Sequence, residues 1–334
     1  MNQHLQSLYN LNCNKSGIFR SYDTFKSRDS SYLLVPVSHL EGNEIEEMAQ
    51  LGDYFLHKGD QQIAGIVKNK RGEVVSKAED SLFVLLKCPY EIDTRQRQHT
   101  VGLELAKFHR RGKRIPFPVQ SLVRIGQWKT LWEKRLDQLE QFWAMKVKSQ
   151  PNGQFEKLFA ESFPYYVGVT ENAIQYLVDT ELDEQPTEVD GGTVCHHRFF
   201  SSCWDFSQYM RLPTDWVYDH PSRDLVEWVR SSYWNNHRTM ESLHAFVNDY
   251  ESINPLSPFS WRLFYSRLLF PVHYFECIEG YYKSDNEEEQ ANRLHELQDM
   301  LNKTDDYENY LKDVHFYISY RTRKRDLPKL HWIG

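Results

Sequence analysis

Apolar and polar positions along this chain change their spacing near residue 90. Before that point, short apolar runs separated by turn-forming residues predict strands around one helix. Tyr32-Leu-Leu-Val-Pro-Val37 is a continuous apolar run between Ser30-Ser31 and Ser38, the pattern of a buried strand. From Glu41 to Leu56 the apolar residues Ile45, Met48, Ala49, Leu51, Tyr54 and Phe55 fall mostly at helical spacing. Acids lead that segment and His57-Lys58-Gly59 closes it, so a helix is predicted there. Gln62–Lys68 and Ser81–Lys87 read as further strands on either side of the turn Lys70-Arg71-Gly72-Glu73, and Cys88-Pro89-Tyr90 as a linker.

After residue 95 the period is helical. Val101, Leu105 and Phe108 mark one face of a helix that ends at Arg110-Arg111-Gly112. Trp132, Leu136, Leu139 and Trp143 stripe the next, with Glu133, Lys134, Asp137 and Glu140 turned outward. A third helix is expected over Glu171–Asp179, an acidic surface loop over Asp179–Asp190, and irregular chain over Thr193–Thr214. Asp224–Tyr233 reads as helix. Phe259–Tyr282, apolar on nearly every side with Pro271 inside, reads as a buried, kinked helix. Leu294, Leu297, Leu301, Leu311, Val314 and Ile318 complete an amphipathic C-terminal region. The sum is an α+β architecture in two parts: residues 1–88, β-rich with one helix, and residues 89–334, mainly helical.

Composition narrows the function classes. With 40% hydrophobic residues in 334, the chain can bury a core, and 20 Tyr with 9 Trp point to an aromatic-rich interior or interface. A net charge of −7 argues against a nucleic-acid binder working by phosphate neutralisation. No apolar run approaches the roughly 18 residues of a membrane helix. The opening Met1-Asn-Gln-His-Leu-Gln-Ser lacks the basic and apolar regions of a signal peptide, so a soluble, internally retained protein is expected. The five cysteines (Cys13, Cys88, Cys195, Cys203 and Cys277) form no C-x-x-C pair, and reduced thiols are expected, with crosslinking through a spare one left open.

Several segments, taken in order, resemble a known family. The strand Tyr32–Val37, the acidic helix after it, the hinge near Cys88 and Gly102-Leu-Glu-Leu-Ala-Lys-Phe-His109 together resemble the aminoglycoside-phosphotransferase branch of the protein-kinase-like fold. Val194-Cys-His-His-Arg-Phe-Phe-Ser-Ser-Cys203 sits where that family has its catalytic loop, His-x-Asp-x-x-x-x-Asn. Within the branch, the Leu-Leu-Val-Pro-Val strand and the run from Asp215-Trp to Glu227-Trp228 are most similar to the CotS-type endospore coat proteins. The resemblance implies a bilobal kinase-like fold, with a small mixed N-terminal lobe and a larger helical C-terminal lobe. It also implies synthesis in the mother-cell cytoplasm, deposition in the spore coat, and other spore coat proteins as partners.

It further locates the positions phosphoryl transfer needs: a lysine on the phosphates, carboxylates on Mg²⁺, and a base for the acceptor. Val35 falls at the strand lysine, leaving Glu44, Glu46 and Glu47 as an expected solvated face. His196 keeps the first loop position, but Arg198 takes the place of the catalytic Asp and Cys203 that of the metal-binding Asn. At ~4 Å and an effective dielectric near ~20, one unit-charge pair is worth roughly 4 kcal/mol, so a guanidinium there works against a dication. Family spacing places the second metal carboxylate at Leu212-Pro-Thr214, with Asp215 one residue on as the candidate cofactor position. Asp219 and Asp224 are expected to cap and anchor the next helix, and Arg198 to pair with Asp215 or Asp219. The glycine-rich phosphate loop is missing, since Gly17 alone interrupts the first strands.

These substitutions imply a degenerate scaffold with no catalytic residues, cofactor or metal and no small-molecule substrate. Two alternatives stay open: a divergent ATP-dependent phosphotransferase using Asp215 for metal and Lys68 or Lys87 for phosphate, and a nucleotide-binding switch without turnover. Cys195, His196, His197, Cys203 and His220 carry groups suited to Zn²⁺, though at no standard spacing, and Cys195 or Cys203 with His220 would make a thiol–imidazole pair. The basic run Arg321-Thr-Arg-Lys-Arg325 reads as solvated or as touching an acidic partner. Trp204, Phe206, Trp216, Tyr233, Trp234 and Trp332 read equally as interior or interface.

Overall fold

Short two-residue turns set the beginning of the fold. In the computed structural model, which describes residues 2–28, 30–78, 81–89, 100–149, 151–200, 204, 210–236 and 240–322, helix α1 (Asn2–Tyr9) precedes strands β1 (Asn14–Phe19), β2 (Tyr22–Ser27) and β3 (Ser30–Pro36). Phe19 pairs with Tyr22 and Ser27 with Ser30, so the three strands form a tight antiparallel meander. Helix α2 (Gly42–His57) follows, then β4 (Gly65–Val67), β5 (Ser76–Ala78) and β6 (Ser81–Lys87). All pair antiparallel in the order β1-β2-β3-β6-β4, with β5 on another stretch of β6.

Alternation decides which residues of β3 meet α2. Leu33, Val35 and Val37 share one face, where they join Val84 and Leu86 of β6 and Ile45 of α2 in an apolar cluster. Full burial of side chains of this size contributes about 1.5–3 kcal/mol each. A second cluster gathers Phe25, Tyr32 and Leu85 with Cys13 and with Leu5 of α1.

The chain divides into two compact units. The first holds Met1–Arg124, Gly192–Asp224 and Phe246–Asn254. Beside the sheet it contains helix α3 (Val101–Gly112), capped by the Thr100 side chain, and the antiparallel pair β7 (Thr193–His196) and β8 (Trp216–Asp219). Val123 bridges Tyr218 in parallel, adding a third line of chain to that pair. A β-carbon on Gly112 would lie 2.8 Å from the Val194 nitrogen and closer still to the Thr193 hydroxyl, so glycine lets α3 touch β7. Helices α4 (Trp128–Lys148) and α5 (Gln154–Asp183) lie in the second unit, while α6 (Ser222–Asn236) and α7 (Met240–Glu251) each contribute to both.

The second unit is completed by α8 (Pro258–Leu269), α9 (Val272–Lys283), α10 (Glu287–Asn302) and α11 (Thr304–Thr322). Its core gathers Leu136, Leu139, Phe155, Phe159, Phe163, Phe275, Ile278 and Leu297. Stacked rings tie the helices together, Phe155 on Tyr281 at 3.7 Å and Tyr166 on Tyr274 at 3.6 Å. Arg230 donates to the carbonyls of Arg267, Leu268 and Phe270, satisfying the end of α8, and both Arg230 and Arg267 reach Glu227.

The α+β class is as expected, but several elements differ. Residues Asn2–Tyr9 are helical where only strands were expected, because one buried residue, Leu5, gives the sequence almost no period. The expected helix Glu171–Asp179 is the last part of α5, which runs straight through Pro164. That proline is exposed, and Phe155, Phe159 and Phe163 keep helical spacing up to it. The segment read as irregular from Thr193 opens with β7, too short at four residues to show alternation. Phe259–Tyr282 is two helices broken at Phe270-Pro271. Trp204 and Trp216 are interior; Phe206, Trp332 and most of the basic tail lie outside the described residues. Cys13, Cys88, Cys195 and Cys277 carry no disulfide, and burial lifts the Cys88 thiol to about 11. No helix among the described residues is long and apolar enough to cross a membrane.

Candidate functional site

The ends of α3 and β7 converge on one carboxylate at the start of α6. Asp224, in the first turn of α6, is fully buried and accepts on both oxygens. The His196 backbone N–H lies 2.8 Å from Oδ1, while His196 Nδ1 and His109 Nε2 stand 2.7 and 3.2 Å from Oδ2. The other nitrogen of His109 meets the Tyr250 hydroxyl at 2.9 Å. Burial pushes the Asp224 carboxyl up, but His196 and His109 outweigh it and hold the group at about 2. Burial lowers the His109 imidazole, with Asp224 pulling the other way. The rings of Phe108, Phe199 and Trp204 surround His196 with centroids 5.3, 4.8 and 5.4 Å away, fixing its orientation.

Arg223 secures the same junction. Its guanidinium donates to Asp219 Oδ2 at 2.7 Å, to the His196 carbonyl at 3.0 Å and to the His197 carbonyl at 3.3 Å. Asp219 accepts from Arg223 and from the His220 N–H, and Asp224 faces back to the end of β7.

The opposite end of β8 is more open. Asp215 closes a single 3-10 turn, Pro213–Asp215, directly before β8, and its carbonyl accepts the His197 N–H at 2.6 Å. Its half-buried carboxylate lies 3.0 Å from Nη1 of Arg20, in the turn between β1 and β2. Burial raises this carboxyl, and Arg20 and His196 draw it back down only in part. Asp215 is held by Arg20 and Asp219 by Arg223, partners that the sequence did not indicate for either acid. Arg198 itself stands half-buried just past β7, and Cys203 lies outside the described residues. Val35 is buried opposite Val84 in the apolar cluster of α2. Lys68 and Lys87, the other candidate phosphate ligands, are exposed.

The acids of α2 correct a further expectation. Glu46 is exposed, but Glu44 pairs with Arg124 at 2.7 Å. Glu47 accepts from the N–H groups of Gln120, Ser121 and Leu122 at 2.9 to 3.1 Å. These glutamates hold residues 120–124 in the place where they run beside β8.

A second polar region escaped the sequence. A hollow of about 240 Å³ opens among Asp60, Gln62, Glu104, Lys107, Arg111 and Arg211. Asp60 takes both Arg111, at 3.1 Å, and Arg211, whose guanidinium lies over the Trp204 ring at 4.3 Å. Its members come from residues 60 to 211 with no shared spacing, so no local signal announces them.

Zinc and a magnesium–triphosphate pair each make demands on these geometries. His109 Nε2, Cys195 Sγ and an Asp224 oxygen lie within 4.8 Å of one another, and of the described residues expected for Zn²⁺ only Cys195 is among them, Cys203 lying outside that set. Asp224 and His109 are already joined, and the thiol points at the carbonyls of Asp219 and His220, so the three form a hydrogen-bond centre. The His220 imidazole accepts from the Ser222 N–H, and the Cys195 thiol lies 3.5 Å from the His220 carbonyl. Magnesium with a triphosphate needs oxygen ligands not already answered by cations. Asp215 and Asp219 each hold an arginine, so these residues do not fit it.

Comparison with known proteins is consistent with this layout. The family model described as "Spore coat putative kinase YutH" matches residues 2–314. The endospore coat-associated protein YutH of Bacillus subtilis (strain 168) is 42% identical over 317 residues, 94% of this chain and 92% of that protein. An aminoglycoside phosphotransferase from Alicyclobacillus acidocaldarius is similar in structure with a TM-score of 0.67 at 13% identity, over 96% of this chain and 97% of that one. A spectinomycin phosphotransferase solved with ADP and spectinomycin gives 0.61 at 12% identity, over 95% and 97%.

Proposed function

The chain belongs to the YutH spore coat family, and from that premise we propose that it serves the endospore coat as an assembly protein and not as a phosphotransferase. Its fold is that of the aminoglycoside phosphotransferases, an N-terminal antiparallel sheet with a large helical C-terminal part. The observation that carries the reading is Val35. Where the fold family places a phosphate-binding lysine, this chain buries an isopropyl group against Val84 and Ile45. Arg198, two residues beyond His196, adds a cation where transfer calls for a base. Each ~1.4 kcal/mol added to a barrier slows a reaction tenfold, so two such changes together suppress turnover.

In this reading the protein is made in the mother-cell cytoplasm and recognises other coat proteins through its surface, with the Asp224 centre keeping the scaffold rigid. Two measurements test it together. Purified protein incubated with Mg²⁺, γ-labelled ATP and a coat extract is expected to transfer no label. In sporulating cells, the Arg198→Ala/Asp215→Asn variant is expected to reach the coat fraction as the unaltered chain does. Label transfer that disappears in Asp215→Asn would overturn the proposal.

A further inference from the structure

The turn between β1 and β2 consists of Arg20 and Ser21, and Arg20 holds φ at 54°. Glycine takes that conformation without strain, so the turn gives up backbone ease to carry a side chain. That side chain passes the Phe19 ring at 5.4 Å and ends 3.0 Å from Asp215 Oδ2, across 195 residues of sequence. Phe19 and Tyr22, on either side of the turn, rest on the cluster that contains Val35 and Ile45. β1 itself is exposed along nearly all its length, with Ile18 at 69%.

We propose that Arg20 is a built-in counter-cation, its guanidinium taking the face of the Asp215 carboxylate that a divalent ion would need and latching the β1–β2 turn to the start of β8. Latch and metal then exclude each other on one carboxylate. The inference rests on the reading that this end of β8 has left phosphoryl transfer, and it names the device that keeps the position closed. At equal distance and dielectric a dication attracts a carboxylate twice as strongly as a guanidinium does. A divalent ion must shed water to bind, however, whereas Arg20 is delivered by the fold itself.

Arg20→Glu tests the idea by setting a second carboxylate against Asp215. Without metal the two repel and the turn lifts; Mn²⁺ bridges them and draws it back. The readout is amide hydrogen exchange of residues 17–23 in wild type, Arg20→Glu and Arg20→Glu/Asp215→Asn, with and without Mn²⁺. Exchange is expected to be several-fold faster in metal-free Arg20→Glu and to return toward the wild-type rate with Mn²⁺. Wild type and the double variant are expected to ignore the metal. Equal exchange of wild type and Arg20→Glu in metal-free buffer, failure of Mn²⁺ to slow Arg20→Glu, or a response that survives Asp215→Asn would each overturn the latch. ATP turnover by the wild-type chain would instead overturn the proposed function and leave the exchange result standing.

Discussion

The two ends of the β8 region treat their carboxylates in opposite ways. Asp224 is held from several sides, by a backbone N–H and two imidazoles, with Tyr250 behind His109 and aromatic rings around His196. Asp215, nine residues earlier, is half-buried and answered by the one arginine of a surface turn. The interior end is an anchor in which every group depends on the others. The open end depends on one ion pair, Arg20 on Asp215. The contrast teaches that a carboxylate held from several sides fixes the fold, while one answered by a single surface arginine leaves its position open to exchange.

Substitutions should expose that asymmetry. The largest effect is expected from Asp224→Ala, which strands two buried imidazoles and the His196 N–H; breaking a buried pair costs about 3–5 kcal/mol. Denaturant unfolding of the variant checks this, and a loss below about 1 kcal/mol would show that the centre is not an anchor. Glu47→Ala should cost about 1–3 kcal/mol, because three backbone donors beside β8 lose their acceptor.

Acid should find the same centre. Asp224 is held below its ordinary value of 3.8, at about 2, so its contribution is complete above pH ~4 and is lost as pH falls through 2. His109 is also held below its ordinary 6.5 by burial, so below that pH the unfolded chain takes up the proton more readily and stability declines. Tm is therefore expected to be level above pH 6.5, to drop below it, and to drop more steeply under pH ~4. A level Tm down to pH ~3 would contradict the arrangement. The smallest effect belongs to Asp215→Asn. Its pair with Arg20 is about one-third exposed on each side, and such pairs contribute at most about 1 kcal/mol to global stability.

What the sequence made legible follows from how local each signal is. The strand around Tyr32–Val37, the helix of Ile45 and Phe55, and the stripe of Trp132 and Leu139 rest on period, and all stand in the structure. The likeness to CotS-type coat proteins, and among them to YutH, rested on the order and spacing of segments and is matched by the family comparison. His196 and Asp224 were both noticed, but not that they touch, since contact between residues 28 apart leaves no pattern. The same limit hid Arg20 on Asp215 and Glu47 on residues 120–122, where one charged side chain meets a distant partner. α5 extends well before the expected Glu171, carrying Pro164 and Gly168 inside it, and the spacing of Phe155, Phe159 and Phe163 is the local signal for its earlier turns.

The central claim is that the open end holds its own cations and so does not take up a magnesium–triphosphate pair. Thermal unfolding with ATP, in the presence and absence of Mg²⁺, tests it most directly. A ligand at about 100 times its dissociation constant stabilises by roughly 2.7 kcal/mol, well within detection. The account predicts no Mg²⁺-dependent rise in Tm; a rise that requires Mg²⁺ and comes with ATP turnover would contradict it.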